Sequence, residues 1–191
     1  MFCLLNFWGS RVLTKTNNLL SIIKIIIPIV VALIVIAYAF HPHNFSSPQF
    51  HFVTYGYTSI FTAILTSGII VAFNGFQTMI SFSSEVKKAA RTIPVAVTIA
   101  IVLCLAVYLL LQIAFIGGIP AKMLAHGWHQ LYLTAPMIEL VGFLGLGMLT
   151  TIIYFGATVA PIGSAVVFMG ASSRMFTAMS RNKQMPKYFD R

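Results

Sequence analysis

Apolar residues in this chain form long runs separated by shorter polar segments. Four of these runs have the length of a membrane span, and they cover about residues 19–40, 58–82, 94–115 and 144–175. At ~1.5 Å per residue in an α-helix, each run is long enough to cross a hydrocarbon layer of ~30 Å. The pattern predicts an all-α integral membrane protein with about four transmembrane helices, and residues 1–191 form a single transmembrane region.

We divide the last apolar stretch into two helices, because it runs from about Met137 to about Met175 and is too long for one straight span. Three glycines fall within residues 142–147. Glycine weakens the interior of a helix. We therefore expect a short outer helix up to about Phe143, a glycine-rich join, and then the long fourth span.

Composition supports the membrane assignment and narrows the classes of function. Hydrophobic residues make up 59% of the 191 residues and charged residues 8%, whereas soluble domains carry roughly 25% charge. A water-soluble fold of this length has no way to hide so much apolar surface. Soluble enzymes and nucleic-acid binding proteins are excluded on this ground, despite a formal net charge of +9. The two cysteines indicate no disulfide framework, and we expect no cofactor.

Basic residues are concentrated on one side of the predicted spans. Eleven of the twelve lie before or within the start of the first span, between the second and third, or at the end of the fourth and beyond it. The positive-inside rule then places both termini and the loop 83–93 in the cytoplasm. We expect the protein to lie in the plasma (inner) membrane. The loops 41–57 and 116–136 face outward and hold all five histidines. His41 and His43 have a metal-compatible spacing, but we interpret them as part of a polar outer loop rather than a metal site.

Polar residues interrupt the second span, which reads TSIFTAILTSGIIVAFNGFQTMISF. Its inner half carries Asn74, Gly75 and Gln77, and an unpaired polar group at membrane depth is costly. One explanation is an unwound helix that lines a cavity, where its freed carbonyls bind a cation or an ammonium group and its freed amides face an anion. The other is close helix packing at Gly75, with Asn74 hydrogen-bonded to a neighbouring helix. The residues alone favour neither.

Three blocks of sequence resemble the amino acid–polyamine–organocation permease family. The stretch GIIVAFNGFQTMISFSSEVKKAARTIPVAV is similar to the family's sixth helix and following loop, through Phe73-Asn74-Gly75-Phe76, Glu85, Lys87, Arg91 and Ile93-Pro94. The stretch APIGSAVVFMGASSRMFTAMSRNKQMPKYF is similar to the eighth helix, and residues 6–11 (NFWGSR) resemble the link between helices four and five. One departure is Lys88-Ala89, where the family usually has Asn-Pro.

The resemblance implies a LeuT-like fold of two inverted repeats, of which this chain is a part, with one broken helix at a mid-membrane site. It implies that the carbonyls of Ala72 and Phe73 face the substrate ammonium and that Phe73 gates the bound substrate. The residues expected at or near the break are Ala72, Phe73, Asn74, Gly75, Phe76 and Gln77. Thr158 and Ser164 fall near the position where sodium-coupled relatives of this fold bind an ion.

Lys24 is the one basic residue inside the first span. Some proton-coupled members of the family carry a lysine at the matching place in helix five, which implies a proton-coupling role. A lysine only about a turn and a half inside a span also has the reach to extend its ammonium to the cytoplasmic surface. Both interpretations stay open at the level of sequence.

The resemblance covers helices five to eight, whereas such permeases usually have about twelve. We expect a truncated piece that is inactive alone, or one part of a split permease whose missing helices form a separate chain. The expected function is secondary transport of an amino acid or related amine, by proton symport or exchange, within membrane lipid. The alternative is a small membrane protein that does not transport. An enzyme is not expected, because the three acidic residues and the spans offer no convincing nucleophile–base pair.

Overall fold

The computed structural model describes residues 10–46, 57–69, 71–120, 122–124 and 131–186, and within them every regular element is helical. The α-helices are α1 Ser10–Ala39, α2 His43–Ser46, α3 Tyr57–Thr66, α4 Ala89–Gly118, α5 Pro136–Phe143 and α6 Gly147–Arg181. Two 3₁₀ helices, Val71–Phe73 and Phe76–Glu85, lie between α3 and α4. The predicted all-α class is confirmed.

Within the described residues, three helices are long and apolar enough to cross a membrane: Asn17–Ala39 within α1, Ala89–Gly118 and Gly147–Arg181. A fourth span is present if α3 and the 3₁₀ segments that follow it are counted together. Large apolar side chains are exposed along α4, among them Ile99 at 62% and Val102 at 59%. Such exposure is costly in water and favourable in lipid, so these helices belong to a multi-pass membrane protein.

The chain divides into two compact units. The first contains the parts of 1–22, 73–103 and 159–191 that the structure describes, and the second the corresponding parts of 23–72 and 104–158. Each of the three long helices contributes one part to each unit.

The second unit has a core built from small and β-branched residues. Its buried members are Val31, Ala32, Val35, Ala114, Ile119, Leu140, Val141 and Leu149. Glycine permits the closest approach in this core, because a Cβ added at Gly118 would lie 2.6 Å from Val35 Cγ1 and 3.3 Å from Leu140 Cδ2. Small residues at helix contacts let backbones approach each other, as in other membrane bundles.

The Asn44 side chain caps the C-terminal end of α4 in the same unit. Its side-chain amide donates hydrogen bonds to the carbonyls of Ile116 and Ile119, both at 2.9 Å, and its residue is only 9% exposed. The last carbonyls of a helix lack partners within the helix, so this amide satisfies groups that would otherwise be buried without a donor. The His41 amide adds a hydrogen bond of 2.8 Å to the Gly117 carbonyl.

The short helix α5 ends at Phe143, just before the glycine-rich join that the sequence predicts. Pro136 occupies its first turn, and the Glu139 carboxylate accepts hydrogen bonds from the amides of Thr134 (2.9 Å) and Ala135 (3.0 Å). An acidic side chain suits the positive end of a helix. Gly145, at φ +73°, lies in the join before α6, a conformation that glycine adopts readily.

Candidate functional site

The second predicted span is interrupted. Helix α3 ends at Thr66, and the chain continues through turns and two 3₁₀ helices with Gly68 at φ +72° and Gly75 at φ +111°. The segment Phe76–Glu85 keeps the 3₁₀ form for ten residues, whereas such runs rarely exceed three or four. A long 3₁₀ stretch inside a span often marks a hinge or a strained segment. The expected broken helix is therefore present, and the irregular backbone begins earlier than the pattern around Gly75 indicates.

Asn74, Gly75 and Gln77 form a closed hydrogen-bonded cluster at the start of the segment Phe76–Glu85. The Gly75 amide donates to Asn74 Oδ1 at 2.9 Å and to Gln77 Oε1 at 3.1 Å, and Gln77 Nε2 donates to Asn74 Oδ1 at 2.9 Å. Thr78 continues the cluster, because its amide and its hydroxyl both donate to the Gly75 carbonyl, at 3.1 and 2.7 Å. Both side-chain oxygens thus accept hydrogen bonds within the cluster, which lowers the cost of these polar groups in lipid.

The Ala72 carbonyl, one of the two predicted substrate ligands, is hydrogen-bonded to a residue on α4. It accepts a hydrogen bond of 3.0 Å from the hydroxyl of Tyr108 on α4. A carbonyl oxygen has two lone pairs, so it can accept a second donor. Sequence reasoning missed Tyr108. A tyrosine far from either end of an apolar span was the available signal, since tyrosines usually cluster at the membrane interface.

The two phenylalanines of the break differ in environment. Phe73, the expected gate, is half-buried, whereas Phe76 is 54% exposed. Lys24 is also half-buried and lies on α1. Phe73 ends the first 3₁₀ helix and Phe76 begins the second.

Thr158 and Ser164, the residues expected near an ion position, both lie on α6. Their hydroxyls donate to the carbonyls four residues earlier, Thr158 to Tyr154 at 2.9 Å and Ser164 to Ala160 at 3.3 Å. The structure thus brings Asn74, Gly75 and Gln77 together and describes Thr158 and Ser164 on α6.

A second polar cluster lies at the end of the 3₁₀ segment. The Arg174 guanidinium binds both oxygens of the Glu85 carboxylate, through Nε and through Nη2, the latter at 3.0 Å. Arg174 Nη1 also donates to the Gly170 carbonyl at 3.0 Å, and the guanidinium carbon lies 4.2 Å from the centre of the Phe82 ring. Both charged residues belong to the family blocks, but 89 positions separate them, and the sequence did not indicate that they pair.

A cavity of about 470 Å³ in the first unit adjoins this cluster. Its wall includes Thr78, Phe82, Glu85, Ala96, Val167 and Arg174. Thr78 is also bonded to the Gly75 carbonyl, so one wall residue of the cavity contacts the break directly.

Comparisons with known proteins show the family to which the chain belongs. A sequence model described as "Amino acid permease" matches residues 1–191. The chain is 38% identical over 189 residues to the glutamate/serine transporter AimA of Bacillus subtilis (strain 168), which covers 99% of this chain and 35% of that protein. It is 36% identical over 184 residues to the aspartate-proton symporter of the same organism, covering 95% of this chain and 35% of the symporter.

The chain thus spans about a third of the length of these relatives. A more distant relative, the vacuolar cationic amino acid transporter 4 of Arabidopsis thaliana, is 30% identical over 128 residues, which is 66% of this chain and 20% of that protein. No solved structure matched the chain.

Proposed function

Because the chain belongs to the amino acid permease family, we propose that its helices form part of a secondary transporter of amino acids. The observation that carries this proposal is the interrupted helix around Gly75, where φ is +111° and the α-helical hydrogen bonding is absent. Non-helical backbone at membrane depth is tolerated where it is buried in protein or lines a cavity. A broken helix of this kind offers carbonyls to a cation and amides to an anion.

In this proposal the substrate ammonium binds the second lone pair of the Ala72 carbonyl, beside the Tyr108 hydroxyl, and the carbonyl of Phe73. An ammonium group has three donors and suits a cluster of carbonyl acceptors. The Phe73 ring covers the bound substrate. Phe76 lies at the other side of the break, where its exposed ring is available to contact substrate or a neighbouring helix.

The cluster of Asn74, Gly75 and Gln77 supplies the complementary half of this site. Its hydrogen bonds occupy the Gly75 amide in the structure. A substrate carboxylate that replaced the two side-chain oxygens would gain that amide together with the side-chain amides of Asn74 and Gln77. These donors suit the carboxylate that every amino acid carries. The preference for a polar or acidic amino acid in this proposal rests on the names of two relatives, a glutamate/serine transporter and an aspartate-proton symporter.

The coupling ion in this proposal is a proton. Lys24 on α1 carries it as an ammonium group and takes the place that a sodium ion holds in other members of the fold. Thr158 and Ser164 contribute hydroxyl oxygens near that position. The half-buried location of Lys24 supports the assignment, since a fully exposed lysine would have no reason to sense the state of the site.

A chimeric transporter tests the proposed function. These 191 residues replace the corresponding segment of the Bacillus subtilis glutamate/serine transporter, and uptake of radiolabelled amino acids into proteoliposomes is measured across a panel of the standard amino acids. We expect saturable uptake of at least one polar or acidic amino acid. The chain alone, reconstituted in parallel, shows how much of this uptake its own helices support.

Two variants of the chimera separate the site from general folding. Gly75→Val should abolish uptake, because a β-branched residue at φ +111° is strongly disfavoured. Gly142→Ala is the matched control, since a Cβ at this helical glycine meets no atom within 4 Å. A well-folded chimera without uptake of any amino acid, or undiminished uptake by Gly75→Val, would contradict the proposal.

The same chimera tests the coupling role of Lys24. Lys24→Gln should retain exchange of internal for external substrate at equal pH, but an inward proton gradient should no longer accelerate uptake. Lys122→Gln removes an equal charge outside the spans and should leave the response to the gradient intact. A gradient response that persists in Lys24→Gln would assign Lys24 to the membrane surface instead.

A further inference from the structure

The ion pair between Glu85 and Arg174 connects two helical elements of the first unit. Glu85 is the last residue of the 3₁₀ segment Phe76–Glu85, whereas Arg174 lies on α6. The Arg174 side chain is 22% exposed and that of Glu85 is 52% exposed. Ion pairs with this much access to solvent contribute little to stability. Its geometry is nevertheless specific, because the guanidinium contacts both carboxylate oxygens.

Arg174 has contacts of two kinds. Its hydrogen bond to the Gly170 carbonyl stays within α6, so it holds the guanidinium in place whatever the 3₁₀ segment does. Its contacts with the Glu85 carboxylate and the Phe82 ring both go to the 3₁₀ segment. These two contacts can therefore form and break together while Arg174 stays anchored on α6.

The cavity of about 470 Å³ extends along the same segment. Thr78 and Glu85, seven residues apart, both line it, and at ~2.0 Å per residue in a 3₁₀ helix they are about 14 Å apart along the axis. Thr78 is bonded to the Gly75 carbonyl at the break, and Glu85 is bonded to Arg174. The wall of the cavity thus runs from the candidate substrate site to the ion pair.

We propose that Glu85 and Arg174 form a gate that closes the end of this cavity opposite the break. The inference rests on the proposed transport function, in which the cavity is a path for substrate leaving the site. The hinge is Gly75, which has φ +111° and no atom within 4 Å of its Cβ position. Rotation of the 3₁₀ segment about it separates Glu85 and Phe82 from Arg174 and opens the cavity.

Thiol labelling in nanodiscs tests the gate without requiring transport. Ala96 lines the cavity, so Ala96→Cys is introduced into a chain in which Cys3 and Cys104 are replaced by serine. The labelling rate is measured with a cationic and an anionic methanethiosulfonate reagent. Adding Glu85→Gln should raise the rate with both reagents by roughly fivefold, in keeping with the modest strength of an exposed ion pair. A change in local potential alone would raise one rate and lower the other, and would overturn the proposal.

A charge swap and a second labelling position complete the test. The double variant with Glu85→Arg and Arg174→Glu should return the labelling rate toward its original value, and Lys87→Gln, a charge change two residues away, should leave the rate unchanged. Labelling of Cys104, which lies outside the cavity wall, should not respond to Glu85→Gln in a chain that lacks only Cys3.

The melting temperature of Glu85→Gln should stay within about 2 °C of the parent, because a gate contact contributes little to stability. A larger fall in melting temperature, together with faster labelling, would show that the ion pair mainly stabilises the fold, and would overturn the gate. An unchanged labelling rate in Glu85→Gln would also overturn it, even if the chimera transports amino acids. Loss of transport by the chimera with the expected labelling pattern would instead refute the proposed function.

Discussion

At the scale of single residues, one departure of this chain from its family falls where the backbone has an unusual conformation. The family usually has Asn-Pro where this chain has Lys88-Ala89, and Lys88 has φ +54°. Asparagine tolerates the left-handed conformation better than lysine. Ala89 is the first residue of α4, a position that proline favours because its fixed φ suits the start of a helix. The family pattern therefore matches the backbone found here, and this chain adopts it with less suitable residues.

Lys88→Asn should therefore stabilise the protein. We expect a gain of about 0.5–1 kcal/mol, because asparagine pays less than lysine for a positive φ. In detergent or nanodiscs the apparent melting temperature should rise by about 1–4 °C. Lys87→Asn is the matched control, as it removes the same charge next to Lys88. Equal shifts in the two variants would show that charge, and not backbone conformation, determines the effect.

At the scale of helices, the packing of α1 and α4 in the second unit depends on the absence of a side chain. Gly118 lies against Val35, which is fully buried, and against Leu140 on α5. Valine is stiff about χ1 and has no flexible end that could move aside. Gly118 thus permits the close approach of these helices, whereas the sequence offers many glycines of similar appearance.

Gly118→Ala should destabilise the second unit. The added Cβ would lie 2.6 Å from Val35 Cγ1, and overpacking of this kind typically costs about 1–3 kcal/mol. The double variant with Val35→Ala should recover part of the loss, because it removes the clashing methyl group. Melting temperatures of the two single variants and the double variant form a double-mutant cycle.

Gly142→Ala provides the reference for alanine in an open helical position, where nothing lies within 4 Å. A Gly118→Ala variant that melts with this control would contradict the packing argument. Strict additivity of the Val35 and Gly118 substitutions would do the same, because residues in direct contact are expected to couple.

At the scale of the whole molecule, charge and hydropathy predict the orientation of the chain in the membrane. Basic residues crowd the loop between the second and third spans and the end of α6, and the positive-inside rule predicts that these regions face the cytoplasm. We propose this orientation in the plasma membrane for the chain. It also places the pair of Glu85 and Arg174 on the cytoplasmic side of the break.

Labelling of single cysteines in whole cells tests the orientation. In a chain without native cysteines, Thr134→Cys should react with a membrane-impermeant maleimide in intact cells. Ser84→Cys should react only after the membrane is permeabilised, because its loop carries three basic residues within positions 83–93. The opposite result would invert the orientation, and labelling of both positions in intact cells would indicate a mixed population.

The sequence determined the solvent, the class of fold and the family. The long apolar runs require lipid, because no soluble fold of 191 residues buries them, and the family resemblance of the three blocks is confirmed by the match to residues 1–191. The broken span was also predictable, since Asn74, Gly75 and Gln77 stand together in an apolar run. These properties depend on neighbouring residues, so the order of residues is sufficient to show them.

Only the tertiary structure decided which distant groups meet. Tyr108 bonds to Ala72 across 36 positions, Asn44 to Ile119 across 75, and Arg174 to Glu85 across 89. In the sequence each of these residues also fits an ordinary role: Tyr108 as a packing residue within a span, Asn44 as a loop residue and Arg174 as a basic residue near the end of a span. Neither the periodicity nor the composition of the sequence indicates which residues this far apart will be in contact. Packing of the helices brings these groups within hydrogen-bonding distance, and a polar group removed from water is costly unless a partner of matching geometry lies beside it.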